Sequence, residues 1–434
     1  MMRVARLAFA GILSCVTLLP AQTSEAPKTL QLTMAEAEKI AIENNPRISI
    51  ARLEELMQRQ IVRETRSPEF PQAAANITSV RAEDASRVTA GFLNNPTLYT
   101  RAAAGVSVSQ LITDFGRTRH LVKSAQFNDE AQKNDLAATH AQILLAVDRA
   151  FLQALIEQRL LRIAEQTVTD RQALDDEIAT LTRAKLKSTL DQSMADSELA
   201  IAELNLVDAR TEAGNSIFDL QEILGLPHAV ELSLDDKETN LVMPLTLDAQ
   251  QLLGKALAER PDFLALQKKE EAAKQMQMAE HDLARPSIQA MAAGGGAPVR
   301  ADAIAKPWYG AAGINVSIPL FTGDRFSARA REAELAAMES QARVLELQQR
   351  IERDLRKTLA NTQAAYQKIA VTEQILERAN LSLQLASTRY RLGLSNMVEL
   401  NDAENAQIAA QIGAANARYS YRIWVAELNY QTGE

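Results

Sequence analysis

The chain has 434 residues, a formal net charge of −8 and only 4% aromatic residues. The charge argues against a nucleic-acid partner, which would favour a basic face, and so few aromatics leave little for stacking platforms or a wide aromatic core. Length alone suggests more than one domain, but internal repetition outranks that expectation.

The N-terminus reads as a targeting segment. Arg3 and Arg6 form a short basic region, Leu7 to Leu19 is apolar, and Pro20-Ala21 offers a cleavage point before Gln22. The run is too short for an ordinary membrane-spanning helix, so a signal peptide over 1–21 is expected. Cys15 is the only cysteine. Cleavage after Ala21 removes it; the second reading is a lipoprotein signal, Ile12-Leu13-Ser14-Cys15, with Cys15 lipidated.

The remainder reads as two copies of one unit, over 22–240 and 241–434. Leu30-Gln31-Leu32-Thr33 returns as Leu245-Thr246-Leu247-Asp248, Pro46 as Pro261 and Pro71 as Pro286, at one constant offset. Asp191 returns as Glu399 and Ala195 as Ala403 at a second offset. The change falls between Pro71 and Gln110, so the first copy has the longer loop there.

Each copy opens with a short helix signed by a capping box, Thr33-Met34-Ala35-Glu36 and Asp248-Ala249-Gln250-Gln251. Asn45-Pro46 and Arg260-Pro261 break it, and a second helix runs to Pro71 or Pro286. Segments of period two follow. Val106 and Val108 alternate with Ser107 and Ser109, and Ile314, Val316, Ile318 and Leu320 alternate with Gly313, Asn315, Ser317 and Pro319. This pattern predicts strands near 71–80, 103–112, 286–293 and 310–320, each apolar on one face. Gly91 to Pro96 and Gly294 to Pro307 read as the loops between them. Aromatics gather near the strand ends: Phe92, Tyr99, Trp308, Tyr309 and Phe321.

Turns containing Gly116-Arg117 and Gly323 then lead into long helical hairpins, expected over 115–226 and 321–433. No proline falls between Pro96 and Pro227 or after Pro319, and no glycine between Gly116 and Gly214 or between Gly323 and Gly393. Stretches this free of helix breakers read as very long helices. About 65 residues at about 1.5 Å each span on the order of 100 Å. Leu144, Val147, Phe151 and Leu155 form one sparse stripe, and Leu347, Ile351, Leu355 and Leu359 another, as suits helices packed side by side.

The strand count constrains the assembly. Membrane strands must close into a barrel, and the smallest barrels have about eight strands. Two strands per copy are too few for one chain; a dimer would supply eight strands and a trimer twelve. The soluble alternative is a sheet capping a helical bundle.

No catalytic constellation stands out. His120, His140, His228 and His281 lack metal-ligand spacing, and Gly294-Gly295-Gly296 precedes no helix start. No enzyme activity, cofactor or metal is expected.

Taken together, the signal peptide, the Leu-x-Leu helix start, the Asn-Pro break, Asp114-Phe115-Gly116-Arg117, Ile318-Pro319-Leu320-Phe321 and the closing Asn416-Ala417-Arg418-Tyr419-Ser420-Tyr421 resemble the TolC family of outer-membrane efflux proteins. The resemblance covers essentially the whole mature chain. It implies an α+β membrane protein built from two helix–helix–strand–strand–long-hairpin repeats. Three subunits would contribute to one twelve-stranded β-barrel in outer-membrane lipid, continued by a periplasmic α-helical barrel. The partners implied are a homotrimer, a periplasmic adaptor and an inner-membrane pump.

The family's chemistry lies at the hairpin tips. The resemblance places Glu399 and Asp402 in a constricting acidic ring and Tyr390 in the network that keeps it closed. Gly393, Leu394 and Ser395, with Leu186, Ser188 and Asp191 at the first tip, become adaptor-docking residues. The residues also admit plainer readings. Asn396 with Glu399 and Ser188 with Asp191 are capping boxes, Asp402 fits a solvated face, and Tyr390 fits helix packing. Ser395 stands where the family often has a basic residue, and Lys185 replaces the usual glycine at tip one, which leaves the lock and the docking at that tip open. The competing function is a periplasmic coiled-coil scaffold without a pore.

Overall fold

The computed structural model describes residues 30–81, 86–87, 97–98, 101–227, 230–236, 248–299 and 306–433. The expected signal peptide, Cys15, His228, Phe92 and Tyr99 lie outside the described residues. So do the whole loop 91–96 and Leu245 to Leu247.

Strand β1 (Leu30–Leu32) leads into α1 (Met34–Asn44). Thr33 and Glu36 close the expected capping box: the Thr33 hydroxyl accepts from the Glu36 amide and Glu36 accepts from the Thr33 amide. Asn45 ends α1 in an extended conformation and caps α2 (Pro46–Arg66), whose proline sits in the first turn, where its missing N–H costs nothing. Then come β2 (Gln72–Val80), the short pair β3 (Ser86–Arg87) and β4 (Thr97–Leu98), and β5 (Arg101–Thr113).

The first long hairpin is α3 (Arg117–Arg183, 67 residues) and α4 (Thr189–Leu224, 36 residues). After β6 (Leu232–Leu234) come α5 (Ala249–Glu259), α6 (Pro261–His281), β7 (Ser287–Val299) and β8 (Trp308–Ser317). The second hairpin, α7 (Arg325–Arg391, 67 residues) and α8 (Met397–Thr432, 36 residues), has the same helix lengths as the first.

Asp248 caps α5 through the Gln250 amide instead, so the capping box expected at Asp248–Gln251 does not form. Strand β7 runs past 293 into Gly294–Gly296, which sequence reasoning placed in a loop. Gly294 pairs with Val106 and Gly310, and Gly295 with Gly105 and Tyr309. Gly295, with Gly105 on β5, is needed there, because the Tyr309 side chain and the Ala104 carbonyl lie where Cβ atoms would stand. Strand β8 stops at Ser317, short of the expected 320. Pro319 has no N–H for a ladder, and the residue before it is restricted.

Four strands form one antiparallel sheet in the order β2-β5-β7-β8. Its register gathers most apolar side chains on one face, with Gln110 among them opposite Ala290, while Leu111 and Met291 fall on the other face. One face carries Ala75 and Ile77, Val106 and Val108, Ile288 and Ala290, and Ile314 and Val316. The other carries Asn76 and Thr78, Ser107 and Ser109, Gln289, and Asn315 and Ser317. The described residues do not cover the apolar face: Ile77 is 87% and Ile314 73% exposed.

The largest core sits elsewhere. The parallel pair β1–β6 and helix α1 lie on the hairpin, where Leu32, Ala37 and Ala41 pack with Val147, Phe151, Leu152, Leu155, Leu220 and Leu224. Val147, Phe151 and Leu155 thus bury the stripe expected of α3, and Ile351, Leu355 and Leu359 do the same on α7. Among the described residues no helix is long and apolar enough to cross a membrane.

Candidate functional site: the paired hairpin tips

The strand-to-helix turns aim the hairpins. At the first, Phe115 and Gly116 have φ of 56° and 112°; at the second, Gly323 and Asp324 both have φ of about 60°. Asp114, the first residue of the Asp114-Phe115-Gly116-Arg117 motif, holds the first turn. Its carboxylate accepts from the Gly116 amide at 3.3 Å and from the Thr118 amide at 2.7 Å. Arg117 opens α3.

Both tips close in the same way. Leu186 N–H donates to the Leu181 carbonyl and Lys185 N–H to Thr182, each at 2.9 Å. At the second tip Leu394 donates to Arg389 and Gly393 to Tyr390, at 2.9 and 3.1 Å. This is the Schellman pattern, which needs a left-handed residue after the helix. Gly393 meets that need with φ 72°, and Lys185 takes it with φ 62°. The missing glycine therefore leaves the shape of tip one unchanged, at a cost of about 1–2 kcal/mol.

Ser188 and Asp191 restart the chain as a full capping box. Asn396 caps the Glu399 amide at 2.9 Å, but Glu399 does not reach back. Its carboxylate instead meets Arg389 at 3.2 Å. The capping box expected at Asn396–Glu399 is thus half formed, because Arg389 on α7 draws the Glu399 side chain away. Glu399 and Asp402 line one cleft of about 800 Å³ between α7 and α8. Among the described residues Ser395 makes one side-chain contact, its hydroxyl donating to the Asn396 carbonyl.

Tyr390 joins the two tips. It is 4% exposed and packs with Ile178 and Ala195 of the first hairpin and Met397 and Leu400 of the second. Its hydroxyl has no partner among the described residues. Burial, with the carboxylates of Asp191 and Glu177 adding to it, pushes the phenol up to about 12. Lys187 lies over its ring. Leu186 and Leu394, by contrast, point outward, 71% and 67% exposed.

Above the tips stands a residue that sequence reasoning missed. Arg171 of α3 is 4% exposed and donates to Asn401 at 3.1 Å and Asn405 at 2.9 Å on α8. It also ion-pairs with Glu198 of α4 at 3.4 Å and with Glu404 of α8. An Arg inside a charged helix gives no sign in sequence that it faces a second hairpin. Among the described residues no group of three or more His, Cys, Asp or Glu could hold a metal ion.

The sequence model for outer membrane efflux proteins matches residues 39–226 and 252–434. The chain belongs to the outer membrane efflux protein family. It is 24% identical over 335 residues to the outer membrane efflux protein BepC of Brucella suis biovar 1, covering 74% of this chain and 69% of BepC. Among solved structures, it is similar to CusC with a TM-score of 0.79 at 19% identity, over 95% of both chains. It matches VceC of Vibrio cholerae at 0.78 and 18% identity, over 92% of this chain and 96% of VceC. This family of efflux channels is of the TolC type, as the sequence resemblance implies, and its members are outer-membrane proteins.

Proposed function

We propose that this efflux protein is the exit duct of a tripartite system, with three copies forming one conduit across the periplasm and outer membrane. The observation that carries this reading is the sheet. It pairs an uncovered, mostly apolar face with a mostly polar one, and among the described residues the outer edges of β2 and β8 are unpaired. Open edges in lipid leave backbone groups unsatisfied, so β8 of one copy would pair with β2 of the next. Three four-stranded sheets then close a twelve-stranded barrel, with the apolar face toward outer-membrane lipid and the polar face lining the lumen. Exposed apolar rows support side-by-side copies: Leu53, Met57 and Ile61 on α2, Ile201 and Leu204 on α4, Leu335 and Met338 on α7. The matched lengths of the two hairpins support an internal duplication.

In this reading the hairpins form the periplasmic tunnel and the tips its inner gate. Glu399 and Asp402 would each occur three times around the constriction and favour cations. Leu186, Leu394 and the capped turns at Ser188 and Asp191 would meet the adaptor, which links the duct to an inner-membrane pump. The protein carries substrate and catalyses no reaction. Replacing Glu399 and Asp402 together by alanine should lower cation preference in planar-bilayer conductance; unchanged selectivity would remove the acidic ring from the account. A pore-free scaffold fits the hairpins equally well but gives the apolar sheet face nothing to do.

A further inference from the structure

Away from the tips, a cleft of about 480 Å³ opens between α3, α7 and α8 beside the end of β6. Four arginines line it. Arg159 and Arg162 stand three apart on α3, and Arg418 and Arg422 stand four apart on α8, so each pair shares one helix face. Two acids answer them. Glu373 meets Arg418 at 2.6 Å, and Asp236 meets Arg422 at 2.7 Å while accepting from the Tyr419 hydroxyl at 2.8 Å.

Arg159 and Arg162 have no such answer: among the described residues neither makes an ion pair or a hydrogen bond. The cleft therefore carries an excess of cationic groups in a chain whose net charge is −8. Bulk electrostatics do not account for that excess. Concave walls focus such a field. Burial and the Asp236 hydrogen bond raise the Tyr419 phenol, and the Arg162 guanidinium acts against them, so Arg162 is within electrostatic reach of the cleft's inner wall.

We propose that this cleft is a binding site for a small oxyanion with two charged groups, a diphosphate or a dicarboxylate, held chiefly by Arg159 and Arg162. Guanidinium forks match phosphate and carboxylate oxygens in pairs, which ammonium groups do not. The volume suits a small molecule; pockets that enclose drug-sized ligands run from about 300 to 1,000 Å³. Arg418 and Arg422 are already spoken for by Glu373 and Asp236, so they shape the wall while the α3 pair reaches the ligand. An occupant would touch α3 of one hairpin and α7 and α8 of the other. The site lies within one chain and needs neither the pore nor a pump.

The test is calorimetric titration of the full mature chain in mild detergent with inorganic pyrophosphate, and separately with hexaglutamate peptide. Saturable pyrophosphate binding, weakened at least tenfold in Arg159→Gln with Arg162→Gln and weakened by added salt, is the expected result. Arg159→Lys with Arg162→Lys should recover part of the affinity, which separates loss of contact from loss of fold. The proposal is overturned by absent saturable binding, or by equal affinity in the glutamine variant. It is equally overturned by hexaglutamate binding that pyrophosphate does not displace, which would mark a peptide surface. Bilayer conductance of the same variant reports on the duct separately.

Discussion

Lys187 at the first hairpin tip places its ammonium 3.6 Å from the centre of the Tyr390 ring at the second. Ser395 carries no charge, so the cation at this contact comes from the opposite hairpin. A cation over a desolvated ring contributes about 0.5–2 kcal/mol. If the tips are the gate, Lys187→Ala should raise the open probability of single channels in planar bilayers. Wild-type gating in that variant would show that the contact holds nothing shut.

Arg171 ties three helices at one buried point. Arg171→Met keeps the volume and removes every donor. Two carboxylates and two amide oxygens then lose their partner, at a cost of about 1–3 kcal/mol. The denaturation midpoint should fall accordingly, and an unchanged midpoint would mean that water replaces the guanidinium at no cost.

Glu404 gives the network a pH dependence. Burial outweighs the attraction of Arg171 and raises this carboxyl above its ordinary range. The folded chain therefore holds the proton more tightly than the unfolded chain. The stability gained is present at low pH and is lost as pH rises from the ordinary glutamate value through the raised one. Lowering the pH toward the ordinary glutamate value should add a stabilising increment that Glu404→Gln lacks. Parallel pH profiles for the two proteins would contradict it.

Tyr309 tests the sheet. A Cβ at Gly105 would collide with the Tyr309 hydroxyl, whereas one at Gly295 would collide with the Ala104 carbonyl as well. Gly105→Ala should reduce the yield of heat-resistant oligomer on gels, and Tyr309→Ala in the same chain should restore it. Gly295→Ala should not be restored by the same partner change, because the backbone does not move aside. Equal rescue of both would show that the glycines serve another purpose.

Much of this fold is written in local patterns. Period two at Val106–Ser109 and Ile314–Ser317 marks two of the strands, and the absence of breakers between Gly116 and Gly214 marks a hairpin arm. Gly294–Gly296 misled, since glycine signals a turn until one knows that an aromatic ring crosses it. Lys185 misled in the opposite direction. Its left-handed backbone is set by the Schellman bonds around it, and sequence gives no sign of that. At the tips, Tyr390, Glu399 and Asp402 could be picked out by type and spacing. Lys187, which covers the Tyr390 ring, lies on the other hairpin, and Arg389, which pairs with Glu399, lies on the other arm of its own hairpin, so only packing brings them close.

The central claim is that three chains close one conducting duct. Its most direct measurement is the mass of the oligomer purified from outer membranes in mild detergent, followed by reconstitution of that species in a planar bilayer. The account predicts a trimer that conducts ions. A monomer or dimer that stays soluble without detergent and passes no current would contradict it and favour a scaffold.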